Sequence, residues 1–217
     1  MIAERLQQAL DRGINRIGEL IILRDVADSA FALCHIDDKD RLDELEIHRG
    51  AGAARDLSTW AEDGHYRFTK GELSLKKGWM LLLTDLNELR QALDLFYPAA
   101  LGVWIAQEDG TLEVQHLRDK LGRQTGMYKF AKGISDAGAQ RLVREVCGPG
   151  NCCVKKILWQ LDADTPLEDS EASRFDGTLG EPARSIPLLC REACNHFVAE
   201  CRKASKAEFE AAGAAKG

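Results

Sequence analysis

The stretch VCGPGNCCVKKILW puts Cys147, Cys152 and Cys153 close together around Gly148, Pro149 and Gly150, and further along IPLLCREACNHF adds Cys190 and Cys194. Thiolates grouped in this way ligate metals or do redox chemistry. The chain has seven cysteines, an odd number, and in a reducing compartment clustered cysteines bind metal more often than they close structural disulfides. Cys190 and Cys194 are four residues apart, a spacing that on a helix places both sulfurs on one face, about 5–6 Å from each other. With Cys147 and either Cys152 or Cys153 they make four thiolates, which suits both a structural zinc ion and a [4Fe-4S] cluster. Zinc knuckles typically leave about two to four residues between paired ligands, whereas five separate Cys147 from Cys153. The wider loop suits the larger object.

The elements that must position these cysteines can be read on either side of them. Ile2, Leu6 and Leu10 recur at helical spacing among charges. ELIIL, AFALCHI, YRFT and WMLLLT are short apolar or alternating runs between charged turns, as in strands of a small mixed sheet. TDLNELRQALDLFY opens on Thr84 or Asp85 as a cap, repeats Leu86, Leu89, Leu93 and Phe96, and stops at Pro98. LGVWIAQEDGTLEVQHL reads as a hairpin turning at Asp109-Gly110. SDAGAQRLVREVCG reads as a helix capped by Ser135 that carries Cys147 at its C-terminal end. A polar loop over 162–185 then leads to a last helix starting near Pro187 and carrying both Cys190 and Cys194. The expected class is α+β: an N-terminal mixed sheet with helices over 1–97, a cysteine-bearing hairpin and helices over 98–205, and a frayed tail over 206–217.

The cysteine pattern, five residues between the first pair and three between the second, resembles the cluster motif of the siroheme sulfite and nitrite reductases. A broader resemblance is to the iron-sulfur C-terminal region and its stabilising domain associated with CbiX-type sirohydrochlorin chelatases. It rests on CGPGNCCVKKILW, IPLLCREACNHFVAECRKA and the LGVWIAQEDGTLEVQHL segment. It implies one [4Fe-4S] cluster on Cys147, Cys153, Cys190 and Cys194, with Cys152 as a neighbour, and a redox or accessory role linked to tetrapyrrole metabolism. The metal-inserting histidine pair of the chelatases has no counterpart here, so their activity does not carry over.

The formal charge of −6 and pI near 5.5 argue against a nucleic-acid binder, which shows a basic excess. No stretch approaches the apolar length of a membrane span, and the charged N-terminus lacks a signal-peptide core, so a soluble cytoplasmic protein is expected. P-loop, G-x-S-x-G, H-E-x-x-H and dinucleotide-binding motifs are missing. Any enzymatic activity, as in a small tetrapyrrole-binding reductase, works through the metal centre. Lys155, Lys156, Arg184 and Arg191, with Arg118, Lys120 and Arg123 before them, could receive tetrapyrrole carboxylates or an acidic redox partner, although a solvated charged face is the more ordinary explanation. Trp159 and Phe197 are candidates for shielding the centre from water. Cys34 and Cys201 read as core residues, and His196, two positions after Cys194, faces away from it on a helix.

Overall fold

The structure, a computed structural model, describes residues 1–60, 65–66, 75–147, 155–162 and 185–214. The chain divides into two compact units, Met1–Leu112 with Phe175–Leu188, and Glu113–Arg174 with Leu189–Gly217. Both are α+β.

In the first unit, helix α1 (Ile2–Asp11) precedes a sheet whose centre is the antiparallel pair β2 (Leu20–Val26) and β3 (Ser29–His35). Their connecting residues Ala27 and Asp28 both have left-handed φ, 50° and 61°, the two-residue hairpin geometry whose twist matches that of the strands. Strand β1 (Arg16–Ile17) enters β2 through a turn at Gly18. Gly18 has φ 54°, and a Cβ there would come within 2.7 Å of the Tyr97 hydroxyl and of Leu188, so only glycine fits. The Tyr97 oxygen in turn accepts a hydrogen bond from the Glu19 amide at 2.9 Å.

The sheet order is β4-β7-β3-β2-β1-β9. Strands β4 (Glu46–Arg49) and β9 (Ser185–Ile186) lie parallel to β7 and β1 at the two edges. Between β4 and β7, the short helix α2 (Ala54–Ser58) and the pair β5 (Thr59–Trp60) and β6 (His65–Tyr66) intervene. Every residue of β7 (Trp79–Leu83) is buried, as a strand covered on both faces requires. The remainder of YRFT lies outside the described residues. Helix α3 (Leu86–Phe96) is capped by Asp85, whose Oδ1 accepts from the amides of Asn87 and Glu88 at 2.8 and 2.9 Å. It buries Leu89, Leu93 and Phe96, and Phe96 stacks on Trp79 with ring centroids 5.2 Å apart.

The expected hairpin at 101–117 is a correction. Ala100–Glu108 is helix α4, and its buried Leu101, Trp104 and Ile105 follow helical spacing. The Asp109-Gly110 pair closes this helix: Gly110 has φ 66°, its amide donates to Gln107 O at 3.0 Å, and the Thr111 amide donates to Ala106 O at 2.8 Å. These paired bonds form a Schellman cap, which uses the same Asp-Gly signal as a hairpin turn.

The second unit contains helices α5 (Leu117–Gly122) and α6 (Asp136–Leu142), the 3₁₀ segment Gly126–Gly133 between them, the parallel two-residue strands β8 (Lys156–Ile157) and β10 (Leu189–Cys190), and helix α7 (Asn195–Ala214). Leu117, Leu121, Ile134, Leu142, Trp159, Leu161, Phe197 and Val198 form its core. Where the composition suggested fraying from 206, α7 continues to Ala214.

Candidate metal centre

Ser135 starts α6 as expected, its Oγ accepting from the Gly138 amide at 3.0 Å. The helix then widens into a π turn, Val143–Cys147, that ends on Cys147. Such turns are rare and concentrate at functional sites. This one delivers the Cys147 side chain, only 5% exposed, into the apolar core of the second unit.

The expected helix through Cys190 and Cys194 is the second correction. Cys190 ends strand β10, held beside β8 by the Leu158 amide donating to Cys190 O at 2.9 Å, and its sulfur contacts Glu192 O at 3.1 Å. Cys194 sits just before α7. Its carbonyl accepts from the Val198 amide at 3.0 Å and its sulfur from the Phe197 amide at 3.5 Å. The sulfur therefore acts as an N-cap at the start of α7. The i,i+4 spacing is thus split between a strand end and a helix cap. The pairing of β10 with β8, more than thirty positions earlier in the chain, overrides the local periodicity.

Cys152 and Cys153, with Gly148 and Gly150, lie outside the described residues. Cys201 and Cys34 are fully buried core residues. Burial pushes the Cys201 thiol up to about 12 and the Cys34 thiol up to about 11, so at neutral pH both stay protonated and weakly nucleophilic. His196 is exposed.

The donor set fits a thiolate-ligated iron-sulfur group. Cys147 lies in, and Cys190 packs against, the apolar core that holds Trp159 and Phe197, whose rings meet at 5.1 Å between centroids. The Trp159 indole N–H is buried with no acceptor among the described residues. A buried donor without a partner is costly, and sulfides of a bound cluster are acceptors of the kind it needs. No group of three or more His, Cys, Asp or Glu side chains among the described residues could hold a metal ion by itself. A four-iron cluster spreads its ligands more widely than one ion does. Sequence reasoning missed the π turn and the capping sulfur. The only local hint of the latter was Cys194 standing immediately before Asn195-His196-Phe197, where a cap residue belongs.

Of the basic residues flanking the cysteines, Arg118 donates to Ile134 O at 2.8 Å and pairs with Asp136, and Lys120 lies 3.7 Å from Glu192. These charges are already engaged within the unit, and Arg184 lies outside the described residues. No helix among the described residues is long and apolar enough to cross a membrane.

A sheet-bearing unit and a cysteine-bearing, mainly helical unit make up the chain. Residues 2–108 match the DR2241 stabilising domain, and residues 109–203 match a 4Fe-4S iron-sulfur cluster binding domain. The chain is built from these two domains, and its cofactor is a [4Fe-4S] cluster. A solved structure of DR2241 from Deinococcus radiodurans superposes with a TM-score of 0.70 at 24% identity, covering 94% of this chain. That protein is described as multi-domain, similar in structure to chelatases, with two additional novel domains; the present chain spans 41% of its length. No curated protein matches the chain.

Proposed function

We propose that the second domain holds a single [4Fe-4S] cluster through Cys147, Cys153, Cys190 and Cys194, and that the chain serves as an electron-transfer or accessory protein linked to tetrapyrrole metabolism in the cytoplasm. The observation that carries this is the meeting of Cys147 and Cys190, which arrive from separate segments, at one apolar core containing an unsatisfied indole N–H. When bound, such a cluster supplies one-electron transfer. The chain's own residues do the rest. The π turn and the β8–β10 pair fix two sulfurs, the first turn of α7 orients a third, and Trp159 and Phe197 keep water from that side. Four cysteine ligands leave no iron open to a substrate, which favours electron transfer over substrate activation. The tetrapyrrole link is supported by the chelatase-like architecture ascribed to the Deinococcus protein.

Anaerobic purification followed by iron and acid-labile sulfide analysis tests the ligand set. The expectation is about four irons and four sulfides per chain, lost on replacing any of Cys147, Cys153, Cys190 or Cys194 by Ser and retained in Cys152→Ser and Cys201→Ser. One zinc without sulfide, or a full cluster in Cys153→Ser, contradicts it.

A further inference from the structure

The second unit carries a groove that no cysteine among the described residues lines. In a 3₁₀ helix, side chains three apart line up in rows, and the segment Gly126–Gly133 sorts its residues accordingly. Tyr128 and Ala131 form the row packed on the core. Met127 and Phe130 form an outward apolar row, 63% and 51% exposed. Lys129 and Lys132 form an outward cationic row. Helix α7 supplies the other wall with Ser205, Lys206 and Phe209, the last 82% exposed. The groove between them measures about 680 Å³, within the range of roughly 300–1,000 Å³ usual for ligand sites.

Its lining carries three ammoniums, those of Lys129, Lys132 and Lys206, and two carboxylates, those of Glu208 and Glu210. Lys129, Lys132 and Lys206 have no carboxylate partner among the described residues; the Lys129 and Lys206 ammoniums lie 5.1 and 6.0 Å from the centre of the Phe130 ring. Glu208 is turned to other work, accepting from the Ser135 amide and hydroxyl at 3.0 and 2.9 Å. Glu210 is the remaining carboxylate on the lining. Exposed phenyl faces among unpaired ammoniums, on a chain of net charge −6, select a ligand that is both flat and anionic.

We propose that this groove binds a flat aromatic polycarboxylate, its ring system against Phe130 and Phe209 and its carboxylates on Lys129, Lys132 and Lys206. For the natural ligand, a tetrapyrrole carboxylate, this rests on the reading given above; the groove itself needs no cluster. It also moves the carboxylate-receiving surface away from the cysteine-flanking basic residues, two of which are already paired.

The test uses the cluster-loaded chain and equilibrium dialysis with three probes: uroporphyrin, pyrene-1,3,6,8-tetrasulfonate, and an octaglutamate peptide. Wild type should bind the first two saturably and the peptide much more weakly. Each exposed ion pair is worth roughly 0.2–1 kcal/mol, so the triple variant K129E/K132E/K206E should lose about tenfold or more in affinity, and F130A/F209A a comparable amount, with iron content unchanged in both. Uroporphyrin binding that both variants leave intact overturns the groove while sparing the tetrapyrrole link. Pyrene tetrasulfonate bound in the groove without uroporphyrin keeps the site and removes the tetrapyrrole as its ligand. Octaglutamate bound as tightly as the ring probes makes the surface a dock for acidic protein segments and overturns the proposal.

Discussion

The two units solve the problem of a stable interior differently. The first buries carboxylates and gives them partners within the unit: Glu19 receives the Leu75 amide at 3.2 Å, and Asp38 receives the Gly78 amide and the Arg41 guanidinium, each at 2.7 Å, while the buried His35 Nε2 has no hydrogen-bond partner among the described residues. In the second, the buried residues described are apolar side chains and the thiols of Cys147 and Cys201, around an indole N–H with no acceptor among the described residues. A six-stranded sheet with α3 packed on it can stand by itself. A small core tied by two-residue strands resembles those that depend on a bound metal group, whose binding energy becomes folding energy. We infer that one domain is held by its own chain and that the other leans on its cofactor.

The sharpest way to break that contrast is to remove a ligand. Cys194→Ser should abolish iron and sulfide binding and open the second unit to proteolysis, while far-ultraviolet strand signal and protection in the first unit survive; equal loss in both refutes the division. Next in size, Leu33→Ala, at a fully buried position of β3, should cost roughly 2–5 kcal/mol by urea unfolding and leave iron content per folded chain unchanged. A smaller effect separates the indole hydrogen bond from ring packing. Trp159→Phe keeps most of the apolar volume but removes the N–H, so the cluster should still load and its reduction potential should fall, because hydrogen bonds to cluster sulfurs favour the reduced, more negative form. An unchanged potential would show that the N–H does not reach the cluster.

The smallest effect concerns pH and belongs to the first unit. Burial, reinforced by the charge of Asp38, raises the Cys34 thiol from 9.0 to about 11. The folded state therefore holds its proton after the unfolded chain has released it. This contribution is complete below about pH 9 and is lost as pH rises to about 11. Urea midpoints across that window should fall more for wild type than for Cys34→Ala, and parallel slopes would remove Cys34 from the account.

Sequence patterns alone conveyed the elements whose periodicity and capping agree with their packing: α1, the β2–β3 pair, β7, α3 with its cap next to Thr84, and the Ser135 cap. The cysteine spacing, joined to a family resemblance, pointed to the cofactor. The failures have specific causes. Leu101, Val103 and Ile105 alternate as a strand would, yet Leu101, Trp104 and Ile105 also make a helical stripe, and Asp-Gly serves hairpins and helix caps alike. Cys190 and Cys194 follow the helical period, but long-range pairing with β8 takes the first into a strand. The lysine and phenylalanine rows of Gly126–Gly133 become visible only once the backbone is known to turn every three residues.

The most direct test of the cofactor-dependent domain is amide hydrogen exchange on the purified protein before and after anaerobic removal of iron by a chelator. The account predicts lost protection in Val143–Cys147, in β8 and β10 and in the first turns of α7, with β2, β3 and β7 unchanged. Protection retained throughout the second unit without iron would contradict it.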